Sequence, residues 1–370
     1  MTREIHETKE PLIRIAKRNK IPAWRGIVVR AAAIVLASLI TLVLVNLVGD
    51  FSFGSTAKNM VNGAFENSIK VNSFFKEACM LLMFAIALAP VFKMRFWNIG
   101  AQGQVLVGGL SAAILLFYFG NKLPQAVLLP LMILAAILGG LIWAIIPAIF
   151  KVQFGTNETL FTLMMNYIAI QIVSCFTDLW KGQKSSLGII DRKAGYIPKL
   201  FDSKYGWIYV ITVVFAVAMF IYMNKTKHGY EIAVVGESVN TARYAGINNK
   251  DVILRTVALS GAIAGLTGFI YVSALNHTIS SGTGGAYGFT AIIVAWLANF
   301  NPIFMALISL LLAFLSSGSV ELVNNNPNLN AAVGDIVISI FLFCILGCEF
   351  FIRYRLIFNF GKNKQKEETK

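Results

Sequence analysis

The chain has 370 residues, of which 57% are hydrophobic and only 14% are charged. Soluble domains carry about 25% charged residues, and the mean hydropathy here is +0.69. A water-soluble or disordered chain is therefore excluded. The formal net charge of +14 fits either a nucleic-acid partner or the cytoplasmic loops of a membrane protein. The position of the basic residues decides between these two explanations.

Ten apolar stretches are long enough to cross a bilayer, which takes about 20 residues per helix. They lie at 27–48, 74–93, 96–119, 125–150, 155–176, 207–224, 255–275, 286–300, 302–322 and 334–352. The eighth and ninth stretches are separated only by Asn301-Pro302, and proline there favours a tight turn. The pattern predicts an all-α, polytopic membrane protein with about ten transmembrane helices.

Basic residues concentrate on one side of this predicted topology. With ten crossings and a cytoplasmic N-terminus, 22 of the 32 Lys and Arg residues fall on the cytoplasmic side, as the positive-inside rule requires. Both termini are thus predicted to be cytoplasmic, and no nucleic-acid partner is needed. We expect a basic arm at 1–26, a transmembrane domain at 27–352 with a cytoplasmic loop at 225–254, and a basic tail at 353–370. The first span is expected to be retained rather than cleaved as a signal peptide.

Catalytic and cofactor motifs are missing from the sequence. There is no G-x-x-x-x-G-K-[ST] phosphate loop, no G-x-S-x-G elbow and no H-E-x-x-H pair. The four cysteines have neither the spacing of a disulfide framework nor that of a zinc site. The chain is therefore predicted to be a passage or a scaffold and not an enzyme, with no metal or cofactor of its own.

Two polar stripes follow the helical period inside apolar stretches. Asn98 and Gln102 are four residues apart, and Glu158, Thr162 and Asn166 follow at intervals of four, so each set shares one helix face. Polar groups at membrane depth line a solute pathway or hydrogen-bond neighbouring helices, and the sequence leaves both interpretations open. For Glu158, the alternatives are a charged gate and a pairing role near the helix end.

Glycine-rich segments mark the region after residue 255. Gly261, Gly265 and Gly268 form a small-residue stripe that predicts close helix packing. The uncharged stretch 278–288 predicts a flexible outer connection or a half-inserted loop. The predicted external segments 49–73 and 177–206 are either docking surfaces for a partner or connectors with interfacial aromatic anchors.

The cytoplasmic loop around 225–254 is the most informative segment. Ser238 or Asn240 is expected to cap a short helix that runs through Arg243 and Tyr244, and Gly246 is expected to follow its end. A short helix tied to the sixth and seventh spans has the shape needed to transmit force from another protein.

Four blocks in this order resemble bacterial ABC importer permeases of the ribose, branched-chain amino-acid and nucleoside branch. They read F-W-N-I-G-A-Q-G-Q, N-E-T-L-F-T-L-M-M-N-Y-I-A, G-Y-E-I-A-V-V-G with A-R-Y-A-G-I and L-S-G-A-I-A-G-L-T-G, and Y-G-F-T-A-I-I-V-A-W-L-A-N-F-N-P. The first two are most similar to nucleoside and simple-sugar permeases. The chain departs from the family pattern at Gln102, Ala233 and Thr290, which bears on the substrate and on the coupling contacts.

The resemblance implies a type II-like importer permease whose coupling helix seats in a groove of an ATPase subunit. It implies as partners that ATPase, a second identical or homologous permease, an external substrate-binding lipoprotein, a small neutral solute and the lipid of a bacterial plasma membrane. ATP and Mg²⁺ would then be bound by the ATPase. Nucleosides are the expected cargo, with a simple sugar such as ribose or galactose as the alternative and a self-contained secondary carrier or channel as the alternative of another class. The implied coupling residues are Glu237, Asn240, Ala242, Arg243, Tyr244 and Gly246.

Overall fold

The structure is a computed structural model that describes residues 13–17, 23–49, 53–200, 203–325, 329–330 and 332–358. It is almost entirely helical, with one short antiparallel strand pair. In chain order the elements are β1 (Ile13–Lys17), α1 (Ala23–Gly49), α2 (Phe53–Phe65), α3 (Ser68–Lys93), α4 (Ala101–Phe119), α5 (Gln125–Phe154), α6 (Glu158–Lys181), α7 (Gly206–Lys225), α8 (Lys227–Glu237), α9 (Val239–Tyr244), α10 (Asn249–Ile270), α11 (Tyr287–Leu297), α12 (Pro302–Asn324), α13 (Ala332–Arg353) and β2 (Tyr354–Phe358).

Nine helices within the described residues are long and apolar enough to cross a membrane: α1, α3, α4, α5, α6, α7, α10 with its π-helical extension, α12 and α13. The all-α polytopic prediction is confirmed. The eighth predicted span, 286–300, is wrong as a continuous membrane-crossing helix. Its helix α11 has 11 residues and is therefore about 16 Å long, roughly half of the hydrocarbon thickness.

The described chain forms two compact units, one of residues 1–58 with 322–370 and one of residues 59–321. In the first unit α1 packs on α13, and Arg30 Nη2 lies 3.0 Å from Glu349 Oε2. In the same unit β1 pairs with β2, joining parts of the two segments predicted as a basic arm and a basic tail. The remainder of that arm (1–12 and 18–22) and of that tail (359–370) lies outside the described residues.

The core of the second unit is the junction of α4, α5 and α10. Gly261, Gly265 and Gly268 all lie at this junction. A Cβ on Gly265 would lie 2.1 Å from the carbonyl oxygen of Ala136, and one on Gly268 would lie 2.2 Å from that of Val105. Three backbones approach this closely only where side chains are absent, so glycine sets the packing distance.

One end of the second unit carries α8 and α9, and the other is covered by the segment 182–200. There the Ala194 N–H donates to the Gly120 carbonyl at 3.0 Å, and the Ile190 N–H donates to the His277 carbonyl at 2.9 Å. Ile190 and Ala194 are buried. This part of the predicted external segment 177–206 is therefore packed over the helix ends, and its role in docking a partner stays a prediction.

A break in the helix follows α10. The helix continues as a π-helical turn over Tyr271–Leu275, and residues 276–286 form an irregular, glycine-rich loop before α11. The loop starts at the end covered by 182–200, and a Cβ on Gly284 would lie 3.1 Å from the Phe84 ring. Of the two predictions for 278–288, the structure therefore supports the inserted loop. We call residues 271–297 the broken span.

Candidate functional site

The second predicted polar stripe, on α6, contacts the backbone at the start of α4. The Thr162 hydroxyl accepts a hydrogen bond from the Ile99 N–H at 3.1 Å. The Asn166 side chain accepts one from the Gly103 N–H at 2.8 Å and donates one to the Ile99 carbonyl at 2.8 Å. These bonds satisfy the first backbone groups of α4, which a helix leaves without internal partners. Thr162 and Asn166 thus join the two helices.

Asn98, Gln102 and Glu158 lie in different surroundings from one another. Asn98 is fully buried, and its Oδ1 accepts from the Gly100 N–H at 2.9 Å. Gln102 is half-buried where Gly288 of the broken span packs on α4. Glu158 Oε2 lies 2.6 Å from Lys151 Nζ. Of the two alternatives for Glu158, this ion pair corresponds to the pairing role near the helix end. A pathway-lining role for these residues, as for Thr162 and Asn166, stays a prediction.

Helices α8 and α9 form a surface that we call the platform (residues 227–246). The Thr226 hydroxyl caps α8 by accepting from the Gly229 N–H at 3.1 Å. The Ser238 hydroxyl caps α9 by accepting from the Thr241 N–H at 3.3 Å, so Ser238 and not Asn240 is the cap. Gly246 follows the end of α9 with φ +72°, a left-handed conformation that glycine adopts without strain.

The platform is anchored to the membrane helices by packing. A Cβ on Gly236 would lie 2.1 Å from the carbonyl oxygen of Lys93, so α8 rests directly on the end of α3. Ile232 and Ala242 are fully buried in a cluster with Met94 and Val252, among others. The platform is therefore packed directly on α3 and α10.

An ion pair adds a second anchor between the platform and α10. Glu231 of α8 accepts a hydrogen bond from Arg255 Nη2, and the Glu231 side chain is only 13% exposed. A pair with one largely buried carboxylate is costly to break, because the remaining charge loses its partner without regaining full hydration.

The outer face of the platform is exposed. Of the predicted coupling residues, Ala242 is buried, whereas Tyr244 is 93% exposed. The other exposed members of that set are Glu237, Asn240, Arg243 and Gly246. The arrangement therefore presents the Tyr244 ring and the Arg243 guanidinium, together with the acidic Glu237, on a packed base, and tyrosine and arginine are enriched in protein interfaces.

A third polar group, which sequence reasoning missed, lies beside the broken span. Glu77 is on α3 and is half-buried; its side chain hydrogen-bonds with Ser316, while its Oε2 is buried without a hydrogen-bond partner among the described residues. The Tyr271 hydroxyl is in the same condition. The sequence contained a signal for Glu77, because a carboxylate within an apolar helix is rare and usually functional.

Metal binding is not supported within the described part of the chain. No group of three or more His, Cys, Asp or Glu side chains there has the proximity needed to hold a metal ion.

Comparison with known proteins agrees with this geometry. The family model described as branched-chain amino acid transport system / permease component matches residues 71–346. The chain belongs to this family. It is therefore a multi-pass ABC transporter permease, a transport subunit and not an enzyme. The matched range begins in α3 and ends in α13, so it includes the platform and the broken span.

Several relatives, including the following three, have substrates in their names. The chain is 28% identical over 330 residues to the guanosine ABC transporter permease protein NupP of Bacillus subtilis, covering 87% of this chain and 92% of that protein. It is 27% identical to the glucose ABC transporter permease protein TsgB13 of Haloferax volcanii, with 93% of each chain covered. It is 28% identical to the nucleoside ABC transporter permease protein NupB of Lactococcus lactis, with 66% of this chain and 71% of that protein covered.

Proposed function

We propose that this permease carries nucleosides inward across a bacterial plasma membrane, driven by ATP hydrolysis in a separate subunit. The observation that carries the proposed coupling to ATP hydrolysis is the structure of the platform. Its outer face is exposed, and its base is packed on α3 and α10. A partner that moves this face moves the membrane helices with it. ATP supplies the energy because an equilibrium shifts only when a ligand favours one state over the other.

The ATPase contact is assigned to the exposed residues of the platform. Tyr244 and Arg243 supply an aromatic ring and a guanidinium, two groups that often dominate binding energy at interfaces. Ala242 is buried on the inner side of α9. Its small side chain sets the distance between α9 and the ends of the membrane helices. ATP and Mg²⁺ belong to the partner, since this chain has no phosphate-binding loop.

Nucleoside cargo is supported by the names of the relatives. Guanosine, nucleosides and glucose are named for NupP, NupB and TsgB13. These solutes differ in their ring systems, but each one either is a sugar or contains a sugar with hydroxyl groups. A neutral sugar-containing solute is the shared chemistry, and a simple sugar such as ribose or galactose remains the second candidate because of the glucose permease.

The complete transporter is proposed to contain two permeases, two ATPases and an external binding lipoprotein, with both termini of this chain cytoplasmic. In this assembly the lipoprotein selects the solute, and the permease provides the route. A secondary carrier is the competing class, and it needs ionisable groups that couple solute movement to an ion gradient. Glu77 is the candidate group for that mechanism, so the experiment must separate the two.

The proposal is tested by reconstituting the permease in liposomes with and without its ATPase and binding protein, and measuring uptake of radiolabelled nucleosides and sugars. We expect uptake only when both the ATPase and ATP are present. ATP is supplied inside or outside the liposomes, on whichever side the reconstituted ATPase faces. Uptake that is unchanged when the ATPase is omitted contradicts the proposal and favours a carrier or channel. A matched preparation with an ATPase that binds but does not hydrolyse ATP provides the control.

A further inference from the structure

Helix α6 carries polar side chains on two opposite sides. On one side, Thr162 and Asn166 are buried and hydrogen-bond the start of α4. Tyr167 and Gln171 lie about 140° around the helix from that pair, since successive residues turn by about 100°. Tyr167 is 63% exposed and Gln171 is also exposed, and neither side chain hydrogen-bonds to another of the described residues. The inner pair is satisfied within the chain, and the outer pair is not.

Tyr167 and Gln171 lie near the middle of the helix. Helix α6 has 24 residues and begins at Glu158, so Gln171 is about 20 Å along a helix of about 36 Å. This helix is also long and apolar enough to cross a membrane. Both side chains are therefore close to the centre of a hydrocarbon layer about 30 Å thick. An amide that faces lipid there makes no hydrogen bond, and a neighbouring helix with polar side chains removes that cost.

The exposed sides of two other peripheral helices, α5 and α7, are different. Away from the helix ends they expose only aliphatic side chains, which suit contact with lipid tails. Those side chains include Leu131, Leu134, Leu138 and Ile142 on α5, and Val210, Val213, Val217 and Ile221 on α7. Of these three helices, only α6 exposes polar side chains at its centre. Its exposed side is thus suited to contact with protein.

A groove lies beside the two polar residues on the same side of α6. It has a volume of about 400 Å³, is open to the outside, and is lined by Leu160, Met164 and Ile168, among others. Leu160, Met164, Tyr167 and Gln171 follow at intervals of four, three and four, so they share one helix face. Membrane helices associate by close apolar packing combined with hydrogen bonds between polar side chains. This face offers both, because the groove can receive side chains of a partner helix next to the free amide.

The partner must reach the centre of the bilayer and must supply hydrogen-bonding groups there. Lipid tails have no such groups. The ATPase is assigned to the platform at one end of the molecule, and the binding lipoprotein is external, so neither reaches this depth. A second permease does, because a two-fold axis along the membrane normal places equivalent residues at equal depth. A glutamine amide both donates and accepts, so it can pair with the same kind of group across that axis.

We propose that the face of α6 formed by Leu160, Met164, Tyr167 and Gln171 binds the second permease of the transporter, with the Gln171 amide hydrogen-bonded across the contact. The inference rests on the proposed function and deepens it, because it names the surface through which the two permeases associate. The opposite side of the same helix holds the start of α4. The contact between permeases therefore lies one helix away from the polar residues at the α4–α6 junction.

The first test is photocrosslinking of the complete transporter in the membranes of cells that express it. The photoreactive residue p-benzoylphenylalanine replaces Gln171 in one preparation. In the controls it replaces Leu138 of α5 or Val214 of α7, which are exposed near the middle of their helices. Mass spectrometry identifies the products after irradiation. We expect a crosslink from position 171 to a second permease chain, and adducts with lipid from positions 138 and 214. Adducts of position 171 with lipid alone, or with the ATPase or the binding lipoprotein, overturn the proposal.

The second test is the dissociation of the purified transporter on dilution in detergent, followed by the mass of the particles. We expect Gln171→Leu to raise the concentration at which half of the permeases separate by about threefold to tenfold, the usual effect of losing a hydrogen bond between membrane helices. Asn224→Leu is the control, because Asn224 is an exposed amide in the last turn of α7 that bonds the Phe220 carbonyl of its own helix.

The two tests separate failure of the inference from failure of the proposed function. A Gln171→Leu transporter that dissociates like the wild type overturns the proposed contact and leaves the proposed function intact. A wild-type transporter whose mass corresponds to a single permease contradicts the two-permease assembly of the proposed function and overturns the contact with it.

Discussion

Gly108 of α4 and Gly265 of α10 face each other so closely that a Cβ on Gly108 would lie 2.3 Å from the Cα of Gly265. Gly140 of α5 is at the same crossing, where its Cβ would lie 2.6 Å from that Cα. Three helices therefore share one contact at backbone distance. This junction lies on α10 between the platform end and the broken span.

Gly265→Ala is expected to destabilise the protein by about 1–3 kcal/mol, the usual cost of an added methyl group in a tightly packed core. The methyl group would lie 2.1 Å from the Ala136 carbonyl oxygen, so a backbone must move. The measurement is the unfolding midpoint in detergent. The matched control is Gly347→Ala, because no atom outside the local helix backbone lies within 4 Å of the added Cβ. Equal midpoints for the two variants would refute the role of the junction.

Tyr244→Ala is expected to lower ATP-dependent uptake about tenfold or more, as the loss of an interface residue worth 1.4 kcal/mol or more would. Tyr244 is 93% exposed, so the fold should be unaffected. Co-purification of the ATPase and uptake are measured together. Tyr118→Ala is the control. Tyr118 is also exposed, but it lies near the C-terminal end of α4, away from the platform. Full uptake by the Tyr244→Ala variant would show that the Tyr244 ring is not needed for coupling.

A double-mutant cycle on Glu231 and Arg255 tests the second anchor of the platform. Arg255→Met leaves a largely buried carboxylate with only the exposed Lys227, 4.0 Å away, as a cationic partner, whereas Glu231→Gln with Arg255→Met removes both charges of the pair. We expect the double variant to be more stable than the sum of the two single losses, with a coupling energy of about 1–3 kcal/mol. Unfolding midpoints of the four proteins give the value. Additive effects would show that the pair does not hold α8 on α10.

Acidification is expected to loosen the end of the unit covered by the segment 182–200. Burial, together with Lys204, lowers the pKa of His277 below its usual 6.5, and the His277 ring packs edge-on against Tyr196 with centroids 4.6 Å apart. The unfolded chain therefore binds a proton more readily, so stability is complete above about pH 6.5 and falls as the pH drops through the folded-state pKa.

His277→Gln removes this titration. We expect the pH dependence of the unfolding midpoint between about pH 7 and 5 to be shallower in the variant than in the wild type. Parallel curves for the two proteins would contradict the assignment. Tyr222→Phe serves as the control, because Tyr222 lies at the platform end, beside His228.

Helical periodicity and turn chemistry were sufficient to predict most of the fold. Apolar length predicted nine of the membrane helices, and the Ser238 cap and the Gly246 turn were readable because caps and left-handed turns depend on local chemistry. The eighth span was wrong because hydropathy averages over a window. Such an average does not register that α11 ends at Leu297, ahead of Asn299 and Phe300, whose φ values of +48° and +60° are not helical.

The sites were less predictable because they depend on contacts between distant residues. Thr162 and Asn166 share a helical face that was visible in the sequence, but their backbone partners Ile99 and Gly103 across the α4–α6 contact were not. Glu231 and Arg255 are 24 residues apart, on helices separated by α9 and a turn. Glu77 was overlooked because one carboxylate hardly alters a hydropathy average, although its physical cost is large.

Solute accumulation is the measurement that tests the central claim most directly. Proteoliposomes containing the complete transporter are supplied with ATP, and the ratio of internal to external nucleoside is followed with and without ionophores that collapse proton and sodium gradients. The account predicts accumulation that requires ATP hydrolysis, persists with ionophores and is lost in Tyr244→Ala. Accumulation that persists without ATP and disappears with ionophores would contradict it and identify a gradient-driven carrier.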